Sequence, residues 1–250
     1  MTWHDYLDTF HRTRPGITEA VLDRAGDAEG ANPYQWLAAG APAHGRILDL
    51  ACGSAPTLAF LPSAVQCVSL DRSAAELAAA RAAGVAPLVR ADATALPLAA
   101  DSIDTVICSM ALMLFTPLPR ALAEIHRVLR PGGLLVATLP ATGPLRLRDL
   151  ATAGPLLLAL GRRLRYPNDQ AMAHLRAVLA SAGFDLRSDE RRRFTFGLAS
   201  PSDSRLLLDS LYLPGLAPAA HRRGLSVLRA AAAIGARFPI PLRRITARAR

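Results

Sequence analysis

Short apolar runs that alternate with helical segments dominate the middle of this 250-residue chain. Such strands, apolar along their whole length and separated by helices, are typical of a parallel sheet with helices on both faces. The alternation therefore predicts a doubly wound, Rossmann-like α/β fold. The predicted strands are 47–50, 67–70, 87–90, 104–109 and 134–139, and the clearest helices between them are 73–83 and 118–130.

The flanking regions are predicted to complete the same domain. Residues 1–45 are expected to form an N-terminal helical cap, and residues 46–140 the ligand-binding core. Residues 141–250 are expected to add helical lid segments and the last two strands, near 184–198 and 240–248. The sequence thus predicts a seven-stranded, mostly parallel sheet with an antiparallel last strand.

Several helix ends carry capping signals. Ser73 with Glu76 three residues later predicts a capping box, and Ser200 before Pro201 predicts a second helix start. We expect residues 169–182 to form one continuous helix, and a helix to follow the small residues after the first strand.

Composition excludes disorder and a membrane-spanning segment. The chain is 51% hydrophobic and 20% charged, and no apolar run approaches the roughly 20 residues that a span needs. The N-terminus lacks an apolar stretch of signal-peptide length, so a cytoplasmic location is expected. The three cysteines have no metal-like spacing and predict buried thiols without a bound metal: Cys52, Cys67 and Cys108.

Charge is distributed unevenly along the chain. All 29 basic residues are arginine; residues 1–140 have a net charge of −3 and residues 141–250 a net charge of +12. The excess raises the possibility of an anionic partner such as RNA, with Arg191–Arg193 as a contact cluster. The alternative is that these arginines form a solvated surface. Their number would then reflect a proteome biased toward GC-rich arginine codons.

Three acids stand where predicted strands end. Asp49 lies at the end of the first strand and is followed by the small residues Ala51 to Ala55. Small residues let a ligand approach the backbone, and ligands of open parallel sheets bind beyond the carboxyl ends of the strands. Asp71, 22 residues on, suits the two hydroxyls of a ribose, and Asp92 follows the third strand.

These motifs together resemble a known family. The segment from Asp49 to Ala55, Asp71, Asp92-Ala93 and the stretch 124–133, ending in Arg-Pro-Gly-Gly, look like a class I S-adenosylmethionine-dependent methyltransferase of the type 11 group. The resemblance covers about residues 45–140. The family usually has glycine where this chain has Ala51 and Ala55.

The resemblance implies a cofactor site for S-adenosylmethionine, with S-adenosylhomocysteine as product. Asp49 and the backbone of Ala51 and Gly53 would hold the methionine end, Asp71 the ribose and Asp92-Ala93 the adenine. Arg72 would stack on the adenine, and Ser109 and Met110 would lie near the sulfonium. The implied set is Asp49, Leu50, Ala51, Cys52, Gly53, Asp71, Arg72, Asp92, Ala93, Ser109 and Met110.

The acceptor site is less constrained. In this family, lids come from segments that correspond to residues 1–40, 141–168 and 200–236. The first segment supplies the catalytic candidates His4, Tyr6 and His11 and the further pocket candidates Tyr34 and Trp36. The leucines of 156–160 and 206–213 have two interpretations: they line an apolar substrate cavity, or they form part of the hydrophobic core.

We therefore expect methyl transfer to oxygen or carbon of a small, apolar metabolite. No Asn-Pro-Pro-Tyr-type segment follows the fourth strand, which argues against enzymes that methylate amino groups of bases or glutamine. An RNA methyltransferase is one alternative, and a catalytically silent cofactor-binding module is another, suggested by Ala51 and Ala55. A nicotinamide-binding Rossmann fold is disfavoured because no Gly-x-Gly-x-x-Gly follows the first strand.

Overall fold

The computed structural model describes residues 2–250 and contains one seven-stranded sheet in the order β3-β2-β1-β4-β5-β7-β6. Strands β1 to β5 are parallel, and β7 runs antiparallel to both of its neighbours. The predicted fold class, with its antiparallel last strand, is confirmed. The strands are β1 Gly45–Leu50, β2 Val65–Asp71, β3 Leu88–Arg90, β4 Ile103–Ser109, β5 Leu129–Pro140, β6 Phe184–Gly197 and β7 Arg237–Ala249.

Ten α-helices surround the sheet in the described residues. Their bounds are α1 Trp3–Thr13, α2 Ile17–Asp23, α3 Pro33–Ala38, α4 Ala74–Ala82, α5 Leu118–Val128, α6 Leu147–Leu160, α7 Asp169–Ala173, α8 Leu175–Ser181, α9 Pro201–Asp209 and α10 Pro218–Ala233. Most element positions agree with the sequence pattern within a few residues.

The two faces of the sheet bury alternate residues of the same strands, because successive side chains of a strand point to opposite faces. On one face, Leu48 of β1 and Val106 of β4 pack with the helix α5. On the other face, Ile47 and Ile107 pack against Leu37 of α3. Continuous apolar strands are therefore buried on both sides, as the pattern predicts.

Two local predictions are wrong. A five-residue 3-10 helix, Pro56–Phe60, follows β1 instead of an α-helix, because Pro62 prevents a longer helix. The segment 169–182 forms two helices that meet at His174. Asn168 anchors α7 by donating to backbone carbonyls after β4, whereas α8 packs against β6.

The predicted capping box of α4 forms only in part. Ser73 Oγ accepts from the backbone N–H of Glu76, but the Glu76 carboxylate does not return to Ser73. It contacts His11 and the backbone of Gly16 instead. The Ser73 N–H donates to Asp71 Oδ1 at 2.7 Å.

Most leucines of the two leucine-rich segments form core, whereas Leu157 and Leu158 are exposed. Leu156 and Leu160 of α6 pack with Leu207 and Leu208 of α9 and with Leu225 of α10 in a second buried cluster. The helical part of 206–213 ends at Asp209. These leucines do not line the cavity described below, so the core alternative describes them.

Ion pairs within the fold use most arginines of the last two strands. Arg192 contacts Asp27 at 2.7 Å, and Arg193 makes a two-pronged contact with the buried Asp149. On β7, Arg243 pairs with Asp189 and Arg244 with Glu190. Two of the three arginines proposed as an RNA contact therefore hold other elements against β6.

Candidate functional site

A cavity lies at the carboxyl ends of β1, β2 and β4, where a doubly wound sheet binds its ligands. Helices α1 and α2 cover it, and Tyr212, which follows α9, closes one side. We call it the strand-end cavity. Its lining includes Leu50, Ala51, Cys52, Gly53, Asp71, Arg72, Asp92, Ala93, Ser109 and Met110 from the sheet, and His4, Leu7, Asp8, His11, Thr18, Glu19, Leu22, Tyr34, Leu114, Phe115 and Tyr212 around them.

The loop after β1 adopts a left-handed backbone at three positions. Ala51, Gly53 and Ala55 have φ values of 54°, 58° and 61°. This conformation costs an L-residue with a side chain about 1–2 kcal/mol but costs glycine little. The two alanines therefore keep a glycine-like loop shape at an energetic cost.

Replacing Ala51 with glycine is expected to stabilise the protein by about 0.5–1 kcal/mol, because relief of strain exceeds the added entropy of the unfolded chain. Ala55 is a poorer choice, since its methyl group is buried beside Leu77 and Ala80. Thermal unfolding of Ala51→Gly measures the effect. The matched control, Ala78→Gly on the exposed face of α4, is expected to lose about 1 kcal/mol. A loss of stability in both variants would contradict the strain.

Gly53 lets a carboxylate approach the backbone. A Cβ atom placed on Gly53 would lie 1.9 Å from Glu19 Oε1, a distance that no side chain tolerates. The α2 helix thus packs a carboxylate directly on the loop after β1. Sequence reasoning missed Glu19, because its position in the short α2 helix carries no motif.

Asp71 ties this loop to the second strand. Its Oδ2 accepts from the Gly53 N–H at 2.9 Å, and its Oδ1 accepts from the Ser73 N–H at 2.7 Å. Burial raises the pKa of the Asp71 carboxyl, while these two hydrogen bonds act in the opposite direction. Each carboxylate oxygen retains a further lone pair for a ligand hydroxyl.

Two other carboxylates have buried oxygens without a hydrogen-bond partner among residues 2–250. Both oxygens of Asp49, at the end of β1, and Oε2 of Glu19 are in this state. Burial raises the pKa of each group to about 7, with Asp71 adding to the shift at Asp49 and Glu76 adding to it at Glu19. Unsatisfied buried carboxylates favour a ligand that brings positive charge or N–H donors.

Arg72 and Asp92 lie at the edge of the cavity. Arg72 contacts Asp8 and His4 of α1, with 3.0 Å between Arg72 Nη1 and His4 Nδ1. Asp92 Oδ1 accepts from the backbone and hydroxyl of Thr94, and its Oδ2 lies 3.9 Å from Arg72 Nη1. These contacts connect the third strand end to the α1 helix.

The end of β4 carries another residue with a left-handed backbone. Met110 has a φ of 53°, and its N–H donates to the Thr138 carbonyl at 3.0 Å. Ser109 Oγ lies 3.4 Å from Thr138 Oγ1. Both residues line the strand-end cavity, and backbone strain of this kind is concentrated at functional sites.

A carboxylate, an imidazole and a phenol form a chain beside the cavity. His11 Nδ1 lies 2.7 Å from Glu76 Oε1, and His11 Nε2 lies 3.1 Å from the Tyr212 hydroxyl. Burial lowers the pKa of His11, but the hydrogen bond and charge of Glu76 outweigh it, so the pKa lies above its usual value. Burial also raises the pKa of Tyr212 well above its usual value.

The structure brings most of the predicted site residues together. Asp49 lies just before the lining residues of β1, while His4 and His11 reach the cavity from α1. Tyr6 does not line it: its hydroxyl accepts from the Leu213 N–H at 2.8 Å. Trp36 packs on Phe194 and Arg244 instead. Glu76 and Tyr212 were missed, because the first fits a capping motif and the second is distant in sequence.

Residues 2–250 show no cluster of three or more His, Cys, Asp or Glu side chains suited to a metal ion. Within the same residues, every helix is too short or too polar to cross a bilayer. The three cysteines are free; Cys52 and Cys108 are buried and Cys67 is half-buried.

The segment that builds this site matches a known sequence family. Residues 48–137, from β1 into β5, match the family described as Methyltransferase domain, of the type 11 group. This segment is a methyltransferase domain. Over these residues, the match confirms the resemblance to the type 11 methyltransferases that the motifs indicate.

Curated relatives match about a third of the chain. The demethylmenaquinone methyltransferase of Mycolicibacterium paratuberculosis is 45% identical over 92 residues, which are 36% of this chain and 40% of that protein. The chain therefore matches about two fifths of the length of this relative.

Solved structures share the fold over nearly the whole chain. The [4+2]-cyclase SpnF has a TM-score of 0.60 at 18% identity and covers 97% of this chain and 94% of its own. A phosphoethanolamine N-methyltransferase 2 of Haemonchus contortus, solved with S-adenosylhomocysteine, has a TM-score of 0.57 at 16% identity and covers 100% of this chain and 60% of its own. At these identities the comparison shows the fold alone.

Proposed function

We propose that this chain uses S-adenosylmethionine to methylate oxygen or carbon of a small, apolar acceptor. One observation carries the proposal: an acidic cavity at the strand ends of a methyltransferase domain, with buried carboxylate oxygens of Asp49 and Glu19 left without partners. A cation that carries N–H donors fits these oxygens.

The residues present suit each part of the cofactor. Glu19 and Asp49 would accept from the ammonium group, with the backbone of Ala51 and Gly53 beside it. Asp71 would accept from the ribose hydroxyls with its remaining lone pairs. A second group of residues would surround the adenine and the methyl-bearing sulfur: Arg72, Asp92, Ala93, Ser109 and Met110.

The protein's part in the reaction is positioning and exclusion of water. When bound, S-adenosylmethionine supplies an activated methyl group on a positively charged sulfur. Helices α1 and α2 cover the cavity, so an acceptor held there is shielded from solvent. Aligning the attacking atom within such an enclosed site is a major source of rate enhancement.

The cavity lining supports an apolar acceptor. Leu7, Leu22, Leu114 and Phe115 contribute apolar surface, and the aromatic rings of Tyr34 and Tyr212 add to it. The curated relative carries the name of a quinone-methylating enzyme, which agrees with this class of acceptor. We therefore extend the proposal to phenols and quinols, whose hydroxyl proton must leave during or before methyl transfer.

His11 and Tyr212 would remove that proton. The Glu76 carboxylate accepts from His11 Nδ1–H, so Nε2 is free to accept from the Tyr212 hydroxyl. As the Tyr212 oxygen accepts a proton from the acceptor hydroxyl, the Tyr212 hydroxyl would pass its own proton to His11 Nε2. The charge that develops on His11 is stabilised by Glu76, which is 1% exposed.

Tyr212→Phe is expected to lower kcat for a phenolic acceptor by about 10²–10⁴-fold, the usual contribution of a positioned acid or base. The affinity for S-adenosylmethionine should stay unchanged. In the wild type, kcat should rise with pH through the elevated pKa of His11, because only the neutral imidazole accepts the proton. The variant should lose this pH dependence. Steady-state kinetics across pH measures both effects.

The matched control is Tyr166→Phe. Tyr166 packs on Tyr212 with 6.5 Å between ring centroids, but it does not line the cavity. This control should retain kcat and the pH profile. Equal losses in both variants would indicate a packing defect and contradict the proton path.

Transfer of labelled methyl groups to phenols, quinols and RNA tests the function. A panel of apolar phenols and quinols should yield a methylated product together with S-adenosylhomocysteine. Product on RNA alone would favour the alternative of an RNA methyltransferase. Tight cofactor binding with no product in any class would favour a silent binding module.

A further inference from the structure

One helix holds most of the exposed apolar side chains. Six large hydrophobic residues are exposed in residues 2–250, and five of them lie between positions 145 and 158. They are Leu145, Leu147, Leu150, Leu157 and Leu158, and we call them the exposed leucine face. Such a cluster on a folded chain marks an interaction surface.

The α6 helix is apolar on both sides. Leu156 and Leu160 face the buried cluster that they form with leucines of α9 and α10. Leu147 and Leu158, on the opposite side by the helical period, are 88% and 83% exposed. A helix that is apolar all round is ordinarily buried, but the outer side of α6 has no partner within residues 2–250.

The charges around this face are positive. Arg146 and Arg148 lie at the start of α6, and Arg162, Arg163 and Arg165 follow its end. Arg223 of α10 reaches the same end, where its Nε donates to the Ala159 carbonyl at 3.2 Å. The one acid in residues 141–168, Asp149, is buried and paired with Arg193, so it does not offset the exposed arginines.

We propose that the exposed leucine face docks on the surface of a bilayer that contains anionic phospholipids. Leucines flanked by arginines are what an interfacial helix needs, since the apolar side enters the acyl boundary and the cations meet the headgroups. A second copy of this chain is a poorer partner, because packing the same face on itself would bring the arginine clusters together.

The location of α6 is consistent with this role. The helix follows the carboxyl end of β5, at the sheet edge that carries the strand-end cavity. Docking would place that edge next to the bilayer, from which an apolar acceptor could be taken. The docking itself does not depend on methyl transfer and is tested without it.

Vesicle co-sedimentation tests the proposal. The purified full chain should bind vesicles of phosphatidylcholine with a quarter phosphatidylglycerol at least tenfold more tightly than pure phosphatidylcholine vesicles, and added salt should weaken that binding. Leu147→Ser with Leu158→Ser should reduce binding about tenfold to hundredfold, because two apolar anchors are lost. Both positions are exposed, so the fold should be retained.

Ile234→Ser is the matched control, since Ile234 is 82% exposed after α10 and outside the face. It should bind like the wild type. Unchanged binding of the double leucine variant would mean adsorption by charge alone and would overturn the proposal. A wild-type dimer in analytical ultracentrifugation that the leucine changes dissociate would assign the face to self-association and overturn it as well.

Discussion

Asp71→Ala is expected to weaken binding of S-adenosylmethionine and S-adenosylhomocysteine about tenfold to hundredfold or more. The variant loses the carboxylate proposed to grip the ribose, and a hydrogen bond to a charged group contributes about 1.5–3 kcal/mol. It also releases the Gly53 N–H, which fixes the loop beside the methionine end. Calorimetric titration of both ligands measures the loss.

Two measurements separate this effect from a folding defect. Thermal unfolding of the variant without ligand shows whether the fold persists, and Asp71→Asn keeps the side-chain size with one acceptor oxygen. The matched control is Asp185→Ala, an exposed acid on β6 far along the chain from the cavity. A folded Asp71→Ala protein with wild-type affinity would show that Asp71 does not contact the cofactor.

Arg193→Ala is expected to destabilise the protein by about 3–5 kcal/mol, the usual result of removing one partner of a buried ion pair. Asp149 is 1% exposed and Arg193 16% exposed, and two hydrogen bonds join them. The pair fixes the start of α6 to β6. Its loss should lower Tm by roughly 10 °C for a chain of this size, as thermal or denaturant unfolding would show.

Arg191→Ala is the matched control, because Arg191 is an exposed residue of the same strand. It should change stability by no more than about 0.5 kcal/mol. The Arg193 guanidinium holds the pKa of Asp149 below its usual value, so the pair stabilises the protein above the ordinary aspartate pKa. That contribution is lost as pH falls through the lowered pKa. Equal stability of both variants would contradict the role of the pair.

Arg192 and Arg193 show how much of the arginine excess could be interpreted from sequence. Composition identified a positive second half but could not show which arginines face solvent. In the structure Arg192 and Arg193 are used in ion pairs, whereas arginines at the two ends of α6 have no acidic partner within residues 141–168 other than the buried Asp149. Pairing across β6 and β7 joins residues about fifty positions apart, which local pattern does not reveal.

The sheet was predictable because its signal is local. Continuous apolar strands, caps and glycine stops occur within a few residues of each other, and the seven strands lie close to where the pattern predicts them. The predictions failed where one side chain has several possible hydrogen-bond partners. Glu76 fits a capping box, yet its carboxylate contacts His11 of α1 and the backbone of Gly16 before α2, which are distant in sequence.

The candidate site was predictable where it depends on strand ends. Asp49, Asp71 and Asp92 come together because parallel strands end at one edge. Glu19 and Tyr212 were not predictable, since α2 and the segment after α9 cover the cavity through tertiary packing. Ala51 and Ala55 stand where the family usually has glycine, yet the structure keeps both in the left-handed conformation.

Titration of S-adenosylmethionine and S-adenosylhomocysteine into the wild-type chain tests the central claim most directly. We predict one site with micromolar affinity for each ligand. Affinity should be higher at about pH 7.5 than at about pH 5.5, because Glu19 and Asp49, with pKa values near 7, must lose protons to face an ammonium group. No binding of either ligand at either pH, or affinity that falls as pH rises, would contradict the assignment of the strand-end cavity as the cofactor site.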